Sequence, residues 1–263
     1  MNMQNLEVAI VLPAYREATR LNGDPFRANL TSIAESFSNE YPGRFLGIVV
    51  DDGSNDGTAE LAIENGWHVY SHTHNMGKGA AIRSGVREVM AKYTDYSNLT
   101  IAFADADGQY STQSIQQLIS SVQEGADIAI AKRILSSSLE ELRHPIKVAK
   151  SISSGDHSIN WRDIAHPIAQ RLFNFIAPTG ATDPLAGAMA FNQSIFNIWV
   201  NQSKTNGYAT PAEVLHIAYK HGGLKIFEEP TTITAVGDSR VKLIDSAKLI
   251  RDAIRIRRNR KIS

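Results

Sequence analysis

The chain has 263 residues, enough to bury a large hydrophobic core, and its 43% hydrophobic and 21% charged residues are typical of a globular protein. Its 27 basic and 27 acidic residues cancel, so the overall charge does not indicate nucleic acid as a partner, and we expect none. The absence of cysteine excludes disulfides, thiolate metal sites and a cysteine nucleophile.

Apolar runs alternate with amphipathic segments through the first half of the chain. The first run, Val8–Leu12, is broken by Pro13, and the later runs end in turn-forming or charged residues, as buried strands of a parallel sheet do. This alternation predicts a doubly wound α/β unit with right-handed crossovers. The predicted strands are 8–12, 45–50, 67–70, 100–104 and 127–131, and the predicted helices are 26–39, one that begins near 59, one that opens at 74–81 and runs to about 93, and 112–124.

Two carboxylates follow the predicted strand at 100–104 directly. Asp105 and Asp107 are separated by one residue, and Gln109 follows them. Two acids this close repel each other unless a cation lies between them, and a hard divalent cation prefers oxygen ligands. We therefore hypothesise a metal held by Asp105, Asp107 and Gln109. The alternative is a strand-end turn in which these residues supply only loop geometry.

A glycine-rich turn precedes the third predicted helix. In Asn75-Met-Gly-Lys-Gly79, glycines at a helix start allow close approach to an anion, and Lys78 adds a positive charge. This pattern predicts a phosphate at the turn, although the spacing is not that of a Walker P-loop.

The second half of the chain is less regular. Residues 136–160 are polar and serine-rich, which predicts a mobile loop, and a helix is predicted at 164–176. A loop containing Asp183 leads into a predicted strand near 191, and helices are predicted at 194–200 and from about 213 to 221. Two edge strands are predicted at 224–230 and 231–236.

The tail, residues 247–262, has the pattern of a basic amphipathic helix. Residues 248–261 carry seven basic side chains against one acid, Asp252, a net charge of +6. Such a helix favours an anionic membrane surface, and the alternative is a helix packed on the sheet with its charges in water. Residues 1–7 lack a signal-peptide pattern, and no apolar stretch reaches the roughly 20 residues of a membrane span. We therefore expect a cytoplasmic protein, at most peripheral on the cytoplasmic face of a membrane.

Four motifs, in this order and spacing, resemble those of the family 2 glycosyltransferases. They are Val11-Leu-Pro-Ala-Tyr-Arg-Glu17, Val50-Asp-Asp-Gly-Ser-Asn-Asp-Gly-Thr58, Asn75-Met-Gly-Lys-Gly79 and Ala104-Asp-Ala-Asp-Gly-Gln109. The chain is most similar to the polyprenyl-phosphate branch, which includes dolichyl-phosphate glucose and mannose synthases. The resemblance implies a GT-A fold, which is a doubly wound, mainly parallel sheet, with a smaller acceptor-side subsheet and a C-terminal amphipathic helix.

The resemblance also implies a single GT-A domain, residues 1–263, whose parts have different roles. Residues 1–135 would form the nucleotide-sugar-binding half, residues 136–246 the acceptor half, and residues 247–263 the basic tail. The nucleotide-sugar would be bound by the strand-end residues, with Mg²⁺ or Mn²⁺ as the cofactor. Pro13, Tyr15 and Glu17 would contact base and ribose, Asp52 uracil or ribose, Lys78 the diphosphate, Asp105 both metal and ribose, and Asp107 with Gln109 the metal.

The nature of the acceptor decides what else the site requires. A saccharide hydroxyl would need a carboxylate base, for which Asp183 is the candidate. A polyprenyl phosphate is already an anion and needs positioning, for which Arg133, Arg171 and Arg240 are candidates. The resemblance implies inversion at the anomeric carbon, and the Q-x-x-R-W signature of processive synthases is absent, so one sugar per turnover is expected.

These observations predict a metal-dependent enzyme that moves one sugar from a UDP-glucose-like donor to a polyprenyl phosphate. The alternatives are transfer to a saccharide hydroxyl with Asp183 as base, and a nucleotide-sugar-binding module without turnover.

Overall fold

A seven-stranded sheet forms the centre of the computed structural model, which describes residues 6–93, 98–134, 170–233 and 243–258. The strand order is β3-β2-β1-β4-β6-β5-β7, and neighbouring strands are parallel except that β6 is antiparallel to both β4 and β5. The strands are β1 (Val8–Ala14), β2 (Phe45–Asp51), β3 (His68–Ser71), β4 (Thr100–Phe103), β5 (Ile128–Arg133), β6 (Met189–Phe191) and β7 (Ile226–Thr231).

Most of the helices lie where the apolar periodicity of the sequence predicts them. They are α1 (Asp24–Glu40), α2 (Thr58–Glu64), α3 (Lys78–Lys92), α4 (Thr112–Gln123), α5 (Gln193–Gln202), α6 (Thr210–His221) and α7 (Leu243–Arg257), with a 3₁₀ turn at Arg20–Gly23 and a helical segment at 170–176. Among the described residues, no helix is long and apolar enough to cross a membrane. The predicted loop at 136–160 and the first part of the helix predicted at 164–176 lie outside the described residues.

Burial explains why β1 and β4 lie at the centre of the sheet. The five residues Val8–Leu12 of β1 are fully buried, and all four residues of β4 are buried. β1 continues two residues beyond Leu12, where the sequence predicts that the strand ends. At that point β1 pairs with β2 alone, because its pairing with β4 ends at Val11. Proline is tolerated where the ladder has only one neighbouring strand.

The acceptor-side strands continue the main sheet. β6, β5 and β7 add to the β4 edge, so the predicted smaller subsheet consists of three of the seven strands of one continuous sheet. The two edge strands predicted at 224–230 and 231–236 are a single strand, Ile226–Thr231, as far as the structure describes that region.

The topology brings distant loops to one edge of the sheet. β1, β2 and β4 are parallel neighbours, so the loops that follow them meet at their carboxyl ends. Because β6 is antiparallel to β4, Met189 at its start pairs with Phe103 at the end of β4. The loop that contains Asp183 therefore enters at the same edge as the two carboxylates after β4.

Candidate active site

The loops after β1 and β2 are tied together by side-chain oxygens of the second loop. The amide of Arg16 donates to Ser54 Oγ at 2.9 Å, the amide of Glu17 to Thr58 Oγ1 at 2.9 Å, and the amide of Thr19 to Asp56 Oδ2 at 3.0 Å. Burial alone would raise the pKa of Asp56, but hydrogen bonds from Thr58 and Thr19 outweigh it, so this pKa lies below its usual value. The segment that carries Tyr15 and Glu17 is thus fixed by the acidic motif.

Asp52 is buried beneath the glycine-rich turn. Its carboxylate accepts hydrogen bonds from the amides of Met76 and Gly77, both at 2.8 Å, and lies 2.7 Å from His72 Nδ1. The other ring nitrogen of His72 lies 2.9 Å from Ser84 Oγ. The anion bound at this turn in the structure is therefore a carboxylate of the protein. A contact of Asp52 with uracil or ribose stays a prediction.

The two glycines of the turn allow a protein segment to approach closely. A Cβ at Gly77 would lie 2.2 Å from the carbonyl oxygen of Asn206, and one at Gly79 would lie 2.0 Å from Thr210 Oγ1. The amide of Gly79 also donates to that carbonyl oxygen at 2.9 Å. The glycines thus serve the packing of residues 205–210 on the start of α3, a role that the sequence did not predict.

Two buried charged side chains, Arg83 and Glu213, hold residues 203–206 in place. Glu213 accepts hydrogen bonds from the amides of Lys204, at 2.7 Å, and Thr205, at 3.2 Å. The guanidinium of Arg83 donates to Ser203 Oγ at 2.9 Å and to the carbonyl oxygen of Thr205. Desolvation lowers the pKa of Arg83, although the charge of Glu213 opposes this shift. Sequence reasoning missed Arg83, and its signal was a charge on the otherwise apolar face of α3.

Each carboxylate of the Asp-Ala-Asp turn contacts a cationic side chain. Lys78 Nζ forms an ion pair with Asp105 Oδ1, and Arg20 Nη1 lies 2.8 Å from Asp107 Oδ2. The Gln109 side-chain amide donates to the same oxygen of Asp107 at 3.1 Å. Burial alone would lower the pKa of Arg20, but the hydrogen bond and charge of Asp107 raise it above the usual value. Arg20 is a second residue that sequence reasoning missed, because 87 positions separate it from its partner.

The donor set at this turn fits a divalent cation that is completed by a substrate. Asp105, Asp107 and Gln109 supply oxygen atoms, which suit Mg²⁺ or Mn²⁺. In the described part of the chain, no group of three His, Cys, Asp or Glu side chains forms a metal site by itself. Phosphate oxygens and water would therefore supply the remaining ligands, as is usual for Mg²⁺ sites that carry nucleotides.

The acceptor side is organised by an ion pair between Arg133 and Asp183. Arg133 Nε donates to Asp183 Oδ2 at 2.7 Å, and Nη2 donates to Oδ1 at 2.6 Å. Gln170 donates a further hydrogen bond to Oδ1. Desolvation alone would lower the pKa of Arg133, but its bonds to Asp183 raise it. The structure thus brings two predicted acceptor residues together and joins them to the helical segment at 170–176.

Gly187 and Tyr110 connect the acceptor pair to the carboxylates after β4. A Cβ at Gly187 would lie 2.0 Å from Asp105 Oδ2, and the amide of Gly187 donates to the Tyr110 hydroxyl at 2.7 Å. Burial raises the pKa of Tyr110. Of the other predicted phosphate-binding residues, Arg171 is exposed on the segment 170–176, and Arg240 lies outside the described residues.

The model of the family described as Glycosyl transferase family 2 matches residues 9–199, which include all the strand-end motifs. The chain belongs to this family. This match confirms the family and the enzyme class, glycosyltransferase, that the sequence motifs predict. The mostly parallel seven-stranded sheet agrees with the GT-A fold that the motifs also predict.

Curated relatives include enzymes named for lipid-phosphate acceptors. The chain is 24% identical to the dolichyl-phosphate beta-glucosyltransferase of Saccharomyces cerevisiae, over 97% of this chain and 75% of that protein. It is 26% identical to the polyprenol monophosphomannose synthase of Mycolicibacterium smegmatis, over 86% of this chain and 76% of that protein. These relatives support the polyprenyl-phosphate branch of the family.

A solved structure supports the fold. Glucosyl-3-phosphoglycerate synthase from Mycobacterium tuberculosis, in complex with Mn²⁺, UDP-glucose and phosphoglyceric acid, superposes with a TM-score of 0.63. The match covers 95% of this chain and 78% of that one at 20% identity. At this identity the likeness establishes the architecture and not the ligands.

Proposed function

We propose that this glycosyltransferase transfers one sugar, with inversion, from a UDP-glucose-like donor to a polyprenyl phosphate. Residues 1–135 bind the donor and residues 136–246 bind the acceptor. The names of the dolichyl- and polyprenol-phosphate relatives support the acceptor, and the UDP-glucose and Mn²⁺ of the structural neighbour support the donor and the metal.

The donor lies, in this proposal, along the carboxyl ends of β1, β2 and β4. Pro13, Tyr15 and Glu17 line the part of the site that binds the base and ribose. Asp52 supports this part through its hydrogen bonds to the glycine-rich turn. Lys78 contacts the diphosphate, while Asp105, Asp107 and Gln109 hold Mg²⁺ or Mn²⁺. When bound, this metal neutralises charge on the leaving diphosphate. Lys78 and Arg20, which pair with the carboxylates in the structure, then lie beside the phosphate oxygens.

The single observation that carries the acceptor assignment is the two-point pair of Arg133 and Asp183. A carboxylate that accepts charge-assisted hydrogen bonds on both oxygens is stabilised as the anion and is a weak base. A saccharide hydroxyl needs a base, whereas a phosphate monoester attacks as an anion. Attack by a phosphate oxygen forms the new C–O bond on one face of the anomeric carbon, as the bond to the nucleoside diphosphate breaks on the other.

An assay with Asp183→Asn tests this proposal. Labelled UDP-glucose and undecaprenyl phosphate are incubated with each variant, and label entering the organic phase is counted. Asparagine has nearly the same shape as aspartate. With a phosphate acceptor, the Asp183→Asn protein is therefore expected to retain a kcat within about tenfold of the wild-type value. If Asp183 is the base, kcat falls by roughly 100-fold or more. Asp127→Asn is a matched control, because Asp127 also accepts hydrogen bonds from Lys225 and Asn192 but lies outside the site.

Replacement of Arg133 gives the complementary result. Arg133→Gln removes a charged donor from the acceptor, so the acceptor KM is expected to rise about 10- to 100-fold, since such hydrogen bonds contribute on the order of 1.5–3 kcal/mol. A large loss of kcat in Asp183→Asn, with transfer by the wild type to a saccharide hydroxyl and none to lipid, would instead support the saccharide-hydroxyl reaction. Donor binding without transfer to either acceptor would support a binding module.

A further inference from the structure

The carboxylate of Glu228, on β7, holds the loop that contains Asp183. Glu228 Oε1 accepts hydrogen bonds from the amide of Thr182 at 2.6 Å and from the amide of Asp183 at 3.1 Å. The Thr182 hydroxyl donates to Oε1 at 2.8 Å and to Oε2 at 3.0 Å. Hydrogen bonds to an ionised carboxylate are about twice as strong as those between neutral groups. Glu228 therefore fixes the backbone of the loop at these two residues.

The start of the same loop is held by the helical segment 170–176. The side-chain amide of Asn174 donates to the carbonyl oxygen of Ala181 at 2.9 Å, and Thr179 Oγ1 donates to Asn174 Oδ1 at 2.5 Å. The helical segment thus fixes the start of the loop, and Glu228 fixes the two residues that follow.

Asp183 transmits this support to Arg133. An aspartate side chain has only two rotatable bonds, so the position of its backbone largely determines where its carboxylate lies. That carboxylate accepts hydrogen bonds from Nε and Nη2 of Arg133, and a two-point pair of this kind restricts the orientation of the guanidinium. Arg133 lies on β5, whose residue Ile130 is in register with Glu228 on β7. Glu228 and Arg133 therefore lie on neighbouring strands, and Asp183 connects them.

Glu229, the next residue of β7, has a different partner. Its Oε1 accepts a hydrogen bond from Ser121 Oγ of α4 at 2.6 Å. Successive side chains of a strand point to opposite faces of the sheet, so the two adjacent glutamates support different elements. Glu229 is a matched control for Glu228, because it lies on the same strand, is also half-buried and also accepts a hydrogen bond.

We propose that Glu228 is a positioning residue of the acceptor site. It acts through Asp183 to orient Arg133 towards the acceptor phosphate, and it does not contact the donor. The effect on the acceptor rests on the proposed function, whereas the support of Asp183 does not. If Glu228 were only a negative charge near the site, it would repel a phosphate, and its removal would strengthen acceptor binding. The two roles therefore predict changes of opposite sign.

Steady-state kinetics with labelled UDP-glucose and undecaprenyl phosphate test the proposal. Glu228→Ala removes the carboxylate and is expected to raise the acceptor KM about tenfold, with kcat changed by less than about threefold. Glu228→Gln should recover most of this loss, because three of the four hydrogen bonds reach Oε1, which glutamine replaces with a carbonyl oxygen. Glu229→Ala should keep the wild-type acceptor KM. The affinity for UDP with Mn²⁺, measured by calorimetry, should be the same in the wild type and all three variants.

Several kinetic results would overturn the positioning role. An unchanged or lower acceptor KM in Glu228→Ala would mean that its carboxylate does not position Arg133. An equal rise in Glu229→Ala, or a weaker UDP affinity in Glu228→Ala, would mean that the substitution disturbs the sheet as a whole. If Glu228→Ala does not fold, Thr182→Val is a milder test, because it keeps the side-chain shape and removes the hydroxyl bonds. It is expected to raise the acceptor KM about threefold, and an unchanged value would overturn the proposal.

A double-mutant cycle in urea unfolding separates the positioning role from the proposed function. Arg133 and Glu228 both contact Asp183, so Glu228→Ala and Arg133→Gln should not be additive. The unfolding constant of the double variant should be about fivefold smaller than the product of the two single effects. Additive effects would overturn the support of Asp183 by Glu228. Non-additive effects, without transfer to undecaprenyl phosphate by the wild type, would refute the proposed function and leave this support standing.

Discussion

Arg20 is expected to compete with a metal for Asp107, and its removal provides a quantitative test of the metal site. The guanidinium lies 2.8 Å from Asp107 Oδ2 and 3.8 Å from Glu17 Oε2. A cation at Asp107 must displace it or share the oxygen. Arg20→Gln removes this competing cation. It also lowers the positive charge around three carboxylates, those of Asp107, Glu17 and Asp105. Both effects favour metal binding.

The size of this effect follows from the exposure of the pair. The side chains of Arg20 and Asp107 are 15% and 14% exposed, between a surface pair and a buried one. Charged hydrogen bonds contribute about 1.5–3 kcal/mol and exposed ion pairs about 0–1 kcal/mol. We take the value at about 1.5 kcal/mol, which corresponds to roughly tenfold in a binding constant.

Titration of Mn²⁺ by electron paramagnetic resonance, without nucleotide-sugar, measures this affinity directly. Arg20→Gln is expected to bind Mn²⁺ about tenfold more tightly than the wild type. Arg27→Gln, the control, is expected to bind Mn²⁺ with the wild-type affinity. The metal-free Arg20→Gln protein should also melt about 3–6 °C lower, and Mn²⁺ should narrow that gap. An unchanged or weaker Mn²⁺ affinity in Arg20→Gln would refute the view that this arginine and the metal share Asp107.

Three further substitutions test the loops around the site. Asp56→Ala should destabilise the protein by about 1–2 kcal/mol, because it removes the acceptor of the Thr19 and Thr58 bonds. Since the pKa of Asp56 is lowered by folding, its contribution is present at neutral pH and is lost on acidification, so the difference in melting temperature should shrink below about pH 4. Gly79→Ala should displace residues 205–210 and weaken donor binding, because its Cβ would lie 2.0 Å from Thr210 Oγ1. His72→Phe should lower the melting temperature by several degrees, because it keeps a ring but removes the contact with Asp52.

Each of these three predictions has a clear contrary result. A melting difference for Asp56→Ala that is constant from pH 7 to pH 3 would contradict the role of its charge. Wild-type UDP affinity in Gly79→Ala would mean that the packing of residues 205–210 does not shape the donor site. Unchanged thermal stability of His72→Phe would show that the two amide donors alone hold Asp52.

Much of the candidate site could be predicted from local sequence. Pro13, Asp52 and Asp105 each lie at the end of a short apolar run, and Lys78 lies in the glycine-rich turn that begins α3. The carboxyl ends of parallel strands meet at one edge of a sheet. Motif spacing therefore placed these residues together before any contact was known. It did not show that the carboxylate of Asp52 lies under the glycine-rich turn, because either a substrate phosphate or a protein carboxylate satisfies the same amide groups.

What the sequence determined by itself is the alternation of strands and helices, the strand-end motifs and the membership of glycosyl transferase family 2, because these depend on periodicity and on spacing along the chain. Tertiary structure alone decided which cations lie against which carboxylates. Arg20 meets Asp107 across 87 residues, and Arg133 meets Asp183 across 50. β6 runs antiparallel to β4 and β5, and this placement brings Asp183 to Arg133 at the site. These segments become neighbours only when the whole sheet has formed, so no local sequence pattern encodes their contact.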